Sequence, residues 1–399
     1  MNDCCIVGLG YIGLPTAALA ADAGLNVLGV DIDKNIIEAI DRGQLHIEEP
    51  HLKEIFFRNF NNGNLRVSNS PDYSNIFIIA VPTPIYYEKL IPKPDLSYVF
   101  SAINSILGSL QKNSIVIIES TCPVSTTEEI GEFIQKNTNF EKDEIHLAYC
   151  PERVLPGNII NELKSNNRIV GCNNEDYRIQ IKNFYSNFCK GRIFTTDIKT
   201  AELVKLTENA FRDVNIAFAN EISIISDKLG VDVNQLIKLA NFHPRVNILN
   251  PGCGVGGHCI PIDPWFLISK FPEDTKLIRQ SREVNEKKIN WVADKIEKYI
   301  EEKYKKIDEF KIGILGLTFK PNVDDLRESP SIKIISKLKI KYKLLFCEPN
   351  IEFHPEFNLL DIEEIKKNAN LLVFLVAHDQ FKKIDLSNTE YLDFCNLYG

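Results

Sequence analysis

The segment that constrains this chain most is Gly8-Leu9-Gly10-Tyr11-Ile12-Gly13, set directly behind the apolar run at residues 4–7. On its own, G-x-G-x-x-G is a weak signal. Here it opens an alanine-rich helical stretch to about Ala23, and a second apolar run follows that ends at Asp31. That context dictates a βαβ unit with a dinucleotide at its first turn. Gly8 permits the tight turn, Gly10 brings the backbone up to a pyrophosphate, and Gly13 lets helix and strand pack closely. The helix N-terminus offers amide donors to the phosphate. Asp31 is expected to bind the adenosine ribose and to repel a 2′-phosphate, which selects NAD over NADP.

Further buried strands are expected at 76–81, 115–119 and 145–149, separated by helical patterns. Such alternation means a parallel sheet with helices on both faces. Pro82, Thr83, Ser120 and Thr121 stand just past strand ends, on the rim where these sheets bind ligands. Ordinary turn residues would look the same there. Helical periodicity dominates 201–229, 231–241 and 274–304, broken by a Pro/Gly-rich loop at 244–264. A second α/β unit begins near Phe310, with strands at 311–317, 343–347 and 371–376. Its glycines do not complete a second fingerprint, so one dinucleotide is expected.

At 399 residues the chain exceeds one ordinary core, and two or three domains are expected. A net charge of −8 argues against non-specific nucleic-acid binding. No apolar run reaches membrane-spanning length and no secretory signal is evident, so neither nucleic acid nor membrane is an expected partner. None of the ten cysteines is paired at zinc-type spacing. No metal is expected, and the thiols fit a reducing cytoplasm.

The loop Gly254-Val255-Gly256-Gly257-His258-Cys259 puts one thiol behind a run of glycines, with Asp263 four residues on. A thiol can form and release an acyl intermediate, and glycines let backbone and substrate approach it. A free cysteine is also a common small core residue, and that reading stays open. Lys205 and Asn209 stand four apart, hence on one helix face. They make either an oxyanion stabiliser or a solvated face.

The ordered pieces Gly8–Gly13, Val81-Pro82-Thr83-Pro84, Glu119-Ser120-Thr121, Pro151-Glu152-Arg153, Glu202-Leu203-Val204-Lys205-Leu206-Thr207-Glu208-Asn209, Gly256-Gly257-His258-Cys259 and Asp324-Asp325-Leu326-Arg327-Glu328-Ser329 resemble the UDP-glucose/GDP-mannose dehydrogenase family over essentially the whole length. Within it, His243-Pro244-Arg245-Val246-Asn247-Ile248-Leu249 and Asp263-Pro264-Trp265-Phe266 are most similar to the branch acting on UDP-N-acetyl-D-mannosamine. The resemblance implies two Rossmann-like α/β domains joined by a helical dimerisation segment. The expected division is an NAD-binding domain at 1–199, a central segment at 200–305 and a UDP-sugar-binding domain at 306–399. It also implies a homodimer.

The implied reaction is a four-electron oxidation with two NAD per turnover, serving surface polysaccharide synthesis. By resemblance, Cys259 is the nucleophile that carries a thiohemiacetal and then a thioester. Lys205 and Asn209 stabilise the oxyanion, Thr121 and Asp263 hold a water, and Glu152 is the base for hydrolysis. Cofactor contacts are implied for Gly8, Gly10, Tyr11, Ile12, Gly13, Asp31, Pro82, Thr83, Thr121 and Arg327. Substrate contacts are implied for Glu152, Arg153, Val154, Lys205, Asn209, Arg245, Gly256, Phe319 and Lys320.

Departures from the family pattern are Cys253 where proline is usual, Cys172 and Ser125 where glycine is usual, and Cys122 in the same loop as Ser125. Cys253 and Cys259 are expected to pair under oxidant. Three competing readings remain: a UDP-N-acetylglucosamine 6-dehydrogenase, a two-electron β-hydroxyacid dehydrogenase, and a binding protein that has lost catalysis and serves as a sensor. UDP-glucose is the less expected substrate.

Overall fold

A computed structural model describes residues 2–87, 91–304, 310–387 and 389–398. They form two compact units, Met1–Thr207 and Glu208–Gly399.

The first unit is built on β1 (Asn2–Val7), β2 (Val27–Val30), β3 (Leu65–Ser68), β4 (Ser74–Ile79), β7 (Ile115–Ile118), β8 (His146–Tyr149), β9 (Arg168–Gly171) and β10 (Ile193–Thr196), with β5 (Ile85–Tyr86) and β6 (Lys93–Pro94) forming a separate hairpin. The main sheet runs β10-β9-β8-β7-β4-β1-β2-β3. Alternation along β1 sends Cys4 and Ile6 into one core and Cys5 and Val7 into the other. Helices Gly13–Asp22, Leu52–Asn61, Ile159–Ser165 and Glu175–Ser186 cover the first face; Ser97–Ile106 and Thr126–Asn137 cover the second. Both faces are dry, which is why strands such as Ile115–Ile118 are apolar at every position.

The sheet departs from the expected parallel pattern in one place. β9 and β10 pair parallel with each other, but β9 meets β8 antiparallel at Tyr149 and Gly171. Neither strand was expected, nor was β3. Their sequences, RIVG, IFTT and LRVS, are four residues long and mix charge or hydroxyl with apolar positions, so periodicity does not distinguish them from loops.

The 32-residue helix Ile198–Leu229 begins in the first unit and continues into the second. The second unit adds helices Val233–Ala240, Asp263–Lys270 and the 28-residue Lys276–Lys303. Its sheet, β12-β11-β13-β14, is parallel throughout: β11 (Lys311–Leu315), β12 (Lys343–Cys347), β13 (Leu371–Phe374) and β14 (Tyr391–Asp393). The fold class is therefore α/β with two Rossmann-like sheets. Among the described residues no helix is long and apolar enough to cross a membrane.

Candidate active site

In the first unit the C-terminal ends of neighbouring strands line up the expected cofactor residues. Gly8 leaves β1 at φ +96°, and a Cβ there would lie 2.6 Å from the Ala80 carbonyl oxygen. A Cβ on Gly13 would fall 1.8 Å from the Gly8 carbonyl oxygen, so no other residue fits. Gly10 differs: the space beside its Cα is open, which is where a pyrophosphate needs to approach. Tyr11 is exposed, and Ile12 precedes the first residue of helix Gly13–Asp22. The Asp31 carboxylate closes the cradle, accepting from the backbone N–H of Leu9 (2.9 Å) and of Asp33 (3.0 Å). These residues fit a dinucleotide: they leave room at Gly10, helix amides at Gly13 and a carboxylate at the end of β2.

Pro82 and Thr83 follow β4, and Thr83 is buried. Ser120 ties this rim together, its hydroxyl donating to the Val81 carbonyl (2.7 Å) and accepting from the Val81 N–H (2.9 Å). Thr121 is half-buried beside it. Past β8, Arg153 bonds the Asn167 carbonyl, and Val154 packs against the core. Lys205 is buried and donates to the backbone carbonyl of Glu152 at 2.9 Å, so these two residues are brought together.

Ser125 sits at φ +76°, the left-handed region that explains a usual glycine here. Its N–H donates to the buried Glu202 carboxylate (2.6 Å), which also accepts from the N–H (2.9 Å) and hydroxyl (2.7 Å) of Thr127. These bonds offset the strain of holding a serine in that conformation. Glu202 is therefore an anchor for the Thr121 loop, a role sequence reading missed.

The second unit gathers a separate group. Asp263 is buried at the first turn of its helix, and its N–H donates to the Cys259 carbonyl (2.8 Å). Asn209 Nδ2 donates to Asp263 Oδ2 at 2.5 Å. Cys259 itself is exposed. The glycines before it interlock with the loop after β11: Gly257 N–H donates to the Arg327 carbonyl (2.9 Å), and Gly256 lies so close to Phe319 and Glu328 that a Cβ would clash at 2.7 Å. Phe319 N–H donates to the Asp325 carbonyl (3.0 Å), and the Asp325 carboxylate grips the Arg327 guanidinium at 2.6 Å. Lys320 is half-buried next to Phe319. Arg245 is exposed on its own turn, where its N–H donates to the His243 ring (3.3 Å). Among the described residues it makes no hydrogen bond to this group.

Burial works against the expected pairing of Cys253 with Cys259. Cys253 is buried with its sulfur facing the carbonyls of Leu375 (3.5 Å) and Phe394 (3.8 Å). That burial pushes its thiol up to about 12, so its thiolate is scarce near neutral pH.

Three family domains match the chain in order. The NAD binding domain of the UDP-glucose/GDP-mannose dehydrogenase family matches residues 2–189, its central domain 199–287 and its UDP binding domain 313–393. The chain belongs to the UDP-glucose/GDP-mannose dehydrogenase family. It is an NAD-dependent UDP-sugar dehydrogenase. A UDP-N-acetyl-D-mannosamine dehydrogenase from Campylobacter jejuni is 44% identical over 99% of both chains. An NDP-N-acetyl-D-galactosaminuronic acid dehydrogenase from Ralstonia nicotianae is 44% identical over 95% of this chain and 92% of its own. The solved structure of a UDP-D-ManNAc dehydrogenase from Pyrococcus horikoshii superposes with a TM-score of 0.92 at 37% identity, covering 99% of this chain and 96% of that one.

Proposed function

We propose that this member of the family oxidises C6 of UDP-N-acetyl-D-mannosamine to the uronate, in the cytoplasm and for surface polysaccharide synthesis. The observation that carries the reading is near-full-length similarity to dehydrogenases of that sugar, in a chain that keeps a thiol, an acid and an amide together at Cys259, Asp263 and Asn209. NAD, when bound, accepts a hydride at each of two oxidation stages. Gly8, Gly10, Tyr11, Ile12, Gly13 and Asp31 hold it, with Pro82, Thr83, Thr121 and Arg327 completing its contacts.

Between the two stages the aldehyde is trapped by addition of the Cys259 thiol, giving a thiohemiacetal. Loss of the second hydride from carbon and of the hydroxyl proton turns that adduct into a thioester. Lys205 and Asn209 stabilise the oxyanion at each tetrahedral stage. Water held by Thr121 and Asp263 then attacks the thioester carbonyl. Glu152 takes its proton, the C–S bond breaks, and Cys259 leaves as the thiolate. Arg153, Val154, Arg245, Gly256, Phe319 and Lys320 seat the sugar nucleotide. The functional division is 1–199 for NAD, 200–305 for dimerisation and chemistry, and 306–399 for UDP-sugar binding.

The test is NADH released per sugar nucleotide, with UDP-N-acetylmannosamine, UDP-N-acetylglucosamine, UDP-N-acetylgalactosamine and UDP-glucose offered separately. Two NADH per UDP-N-acetylmannosamine is expected. One NADH would sink the four-electron mechanism. Two on another sugar keeps the mechanism and moves the substrate, a reading favoured by the Ralstonia relative at equal identity.

The same helix that carries Lys205 exposes Phe211, Phe218 and Ile225, spaced seven residues apart on one face. We propose that this stripe packs against its copy in a homodimer. Phe218→Glu is expected to halve the mass seen by sedimentation velocity. An unchanged mass would remove the stripe from the interface.

A further inference from the structure

Glu152, read above as the hydrolytic base, does not sit alone. Its side chain is 8% exposed and ion-paired to Arg168 Nη1 on β9. The same nitrogen lies 3.6 Å from Oε1 of Glu119, a wholly buried carboxyl at the end of β7. Tyr185, on helix Glu175–Ser186, donates its hydroxyl to Glu119 Oε1 at 2.7 Å. The Tyr185 ring also lies under the guanidinium, 4.3 Å from Cζ, with Phe188 at 5.7 Å. Cys150 Sγ is 3.8 Å from Arg168 Nη1, and Lys205 reaches the Glu152 backbone carbonyl from helix Ile198–Leu229. Arg153, the next residue in the chain, adds a further positive charge that favours ionised Glu152.

The charge count in this dry space is uneven. Two carboxyls face one guanidinium, and burial pushes Cys150 up to about 12, leaving it a neutral thiol. Lys205 and Arg153 add positive charge on the Glu152 side, whereas ionised Glu119 has only the shared guanidinium, so the two carboxyls titrate as a unit. Glu119 belongs to the Glu119-Ser120-Thr121 motif, yet no step of the reaction uses it.

We infer that Glu119 and Arg168 are positioning residues that set the basicity of Glu152: the two carboxyls share one proton, and Arg168 serves Glu152 undivided only while Glu119 holds it. This deepens the reading of Glu152 as the base and rests on it. With Glu119 protonated, the full guanidinium charge favours ionised Glu152, the form a base needs. With Glu119 ionised, Arg168 is shared, and the like charge makes Glu152 bind its proton more tightly. Consistent with this, burial and then the Glu152 charge push Glu119 up to about 7. Burial raises Glu152 as well, opposed chiefly by Arg168. The tyrosine hydroxyl favours ionised Glu119 and so tunes the exchange.

The test follows single-turnover decay of the covalent thioester from pH 5 to 9, with UDP-N-acetylmannosamine and NAD. Glu119→Gln, a permanent mimic of the protonated acid, should move the acid limb about one pH unit lower. Tyr185→Phe keeps the ring under Arg168, so the fold is retained, and should move the limb the same way by less. Unmoved limbs in both variants, while Glu152→Gln has lost hydrolysis, overturn this inference alone and leave a structural ion cluster. Hydrolysis retained in Glu152→Gln overturns the assignment of the base, and the inference with it.

Discussion

Cys259→Ser is expected to lower uronate formation by roughly four orders of magnitude or more, the scale of losing a covalent nucleophile. Serine lacks a group that ionises near neutral pH and cannot form the thioester, so the second oxidation has no adduct to act on. Cys259 is exposed, and the substitution touches no packed core, so stability should stay within about 0.5 kcal/mol of the parent. The NAD-induced rise in melting temperature should persist, because the dinucleotide cradle lies at Gly8–Gly13 and Asp31. Quenched-flow detection of the thioester, together with NADH counting, reads the effect directly. Two NADH per sugar from the serine variant would take Cys259 out of the chemistry.

The largest expected effect on stability lies in a buried network of the second unit. Arg282 pairs with Asp213 at 2.6 Å, both inside the contact of two long helices. Asn285 Nδ2 donates to the same carboxylate (2.8 Å), Asn220 donates to Asn285 Oδ1 (2.9 Å), and Asn220 Oδ1 accepts from Gly252 N–H (2.9 Å). The chain of bonds ends at the base of the loop that leads to Cys259. Arg282→Met leaves the carboxylate buried and uncompensated, a loss of about 3–5 kcal/mol. In a unit of this size that lowers the melting temperature by about 10 °C.

The pH dependence of that loss has a definite sign. Burial already raises Asp213 above its ordinary value, with Arg282 the chief opposing influence. Without Arg282 the folded-state value rises further, so the variant's stability is retained at low pH and falls as the pH climbs through it. The melting deficit relative to the parent should therefore widen from pH 5 to pH 8. Adding Asp213→Asn should recover part of it. A deficit that is flat with pH and insensitive to the second substitution would mean that lost packing, not the bare carboxylate, is responsible.

Several elements were legible because their signals are local. The fingerprint, its strand, its helix and Asp31 follow one another within a single βαβ unit; Gly8 and Gly13 answer to backbone contacts that no Cβ could tolerate, and Gly10 leaves its side of the turn open. The long helices Ile198–Leu229 and Lys276–Lys303 announced themselves by period. Cys259 stood out by the glycines before it. The short strands β3, β9 and β10 did not, because four mixed residues carry no period, and the antiparallel joining of β9 had no sequence signal at all. The burial of Cys253 was hidden for a related reason: its spacing from Cys259 is local, whereas its packing against Leu375 and Phe394 comes from the far end of the chain.

What this sequence determined by itself is the set of local instructions: a dinucleotide turn, alternating α/β units, and a thiol placed in a glycine loop. These depend on steric freedom and periodicity among neighbours in the chain. What only the tertiary structure decided is which charges share the interior. Glu119, Glu152, Arg168 and Tyr185 arrive from four separate elements, and Asp213 meets Arg282 across 69 positions. Ionisable side chains look solvent-exposed in any sequence window. Only strand register and helix packing determine which of them lose water, and therefore which must find a partner.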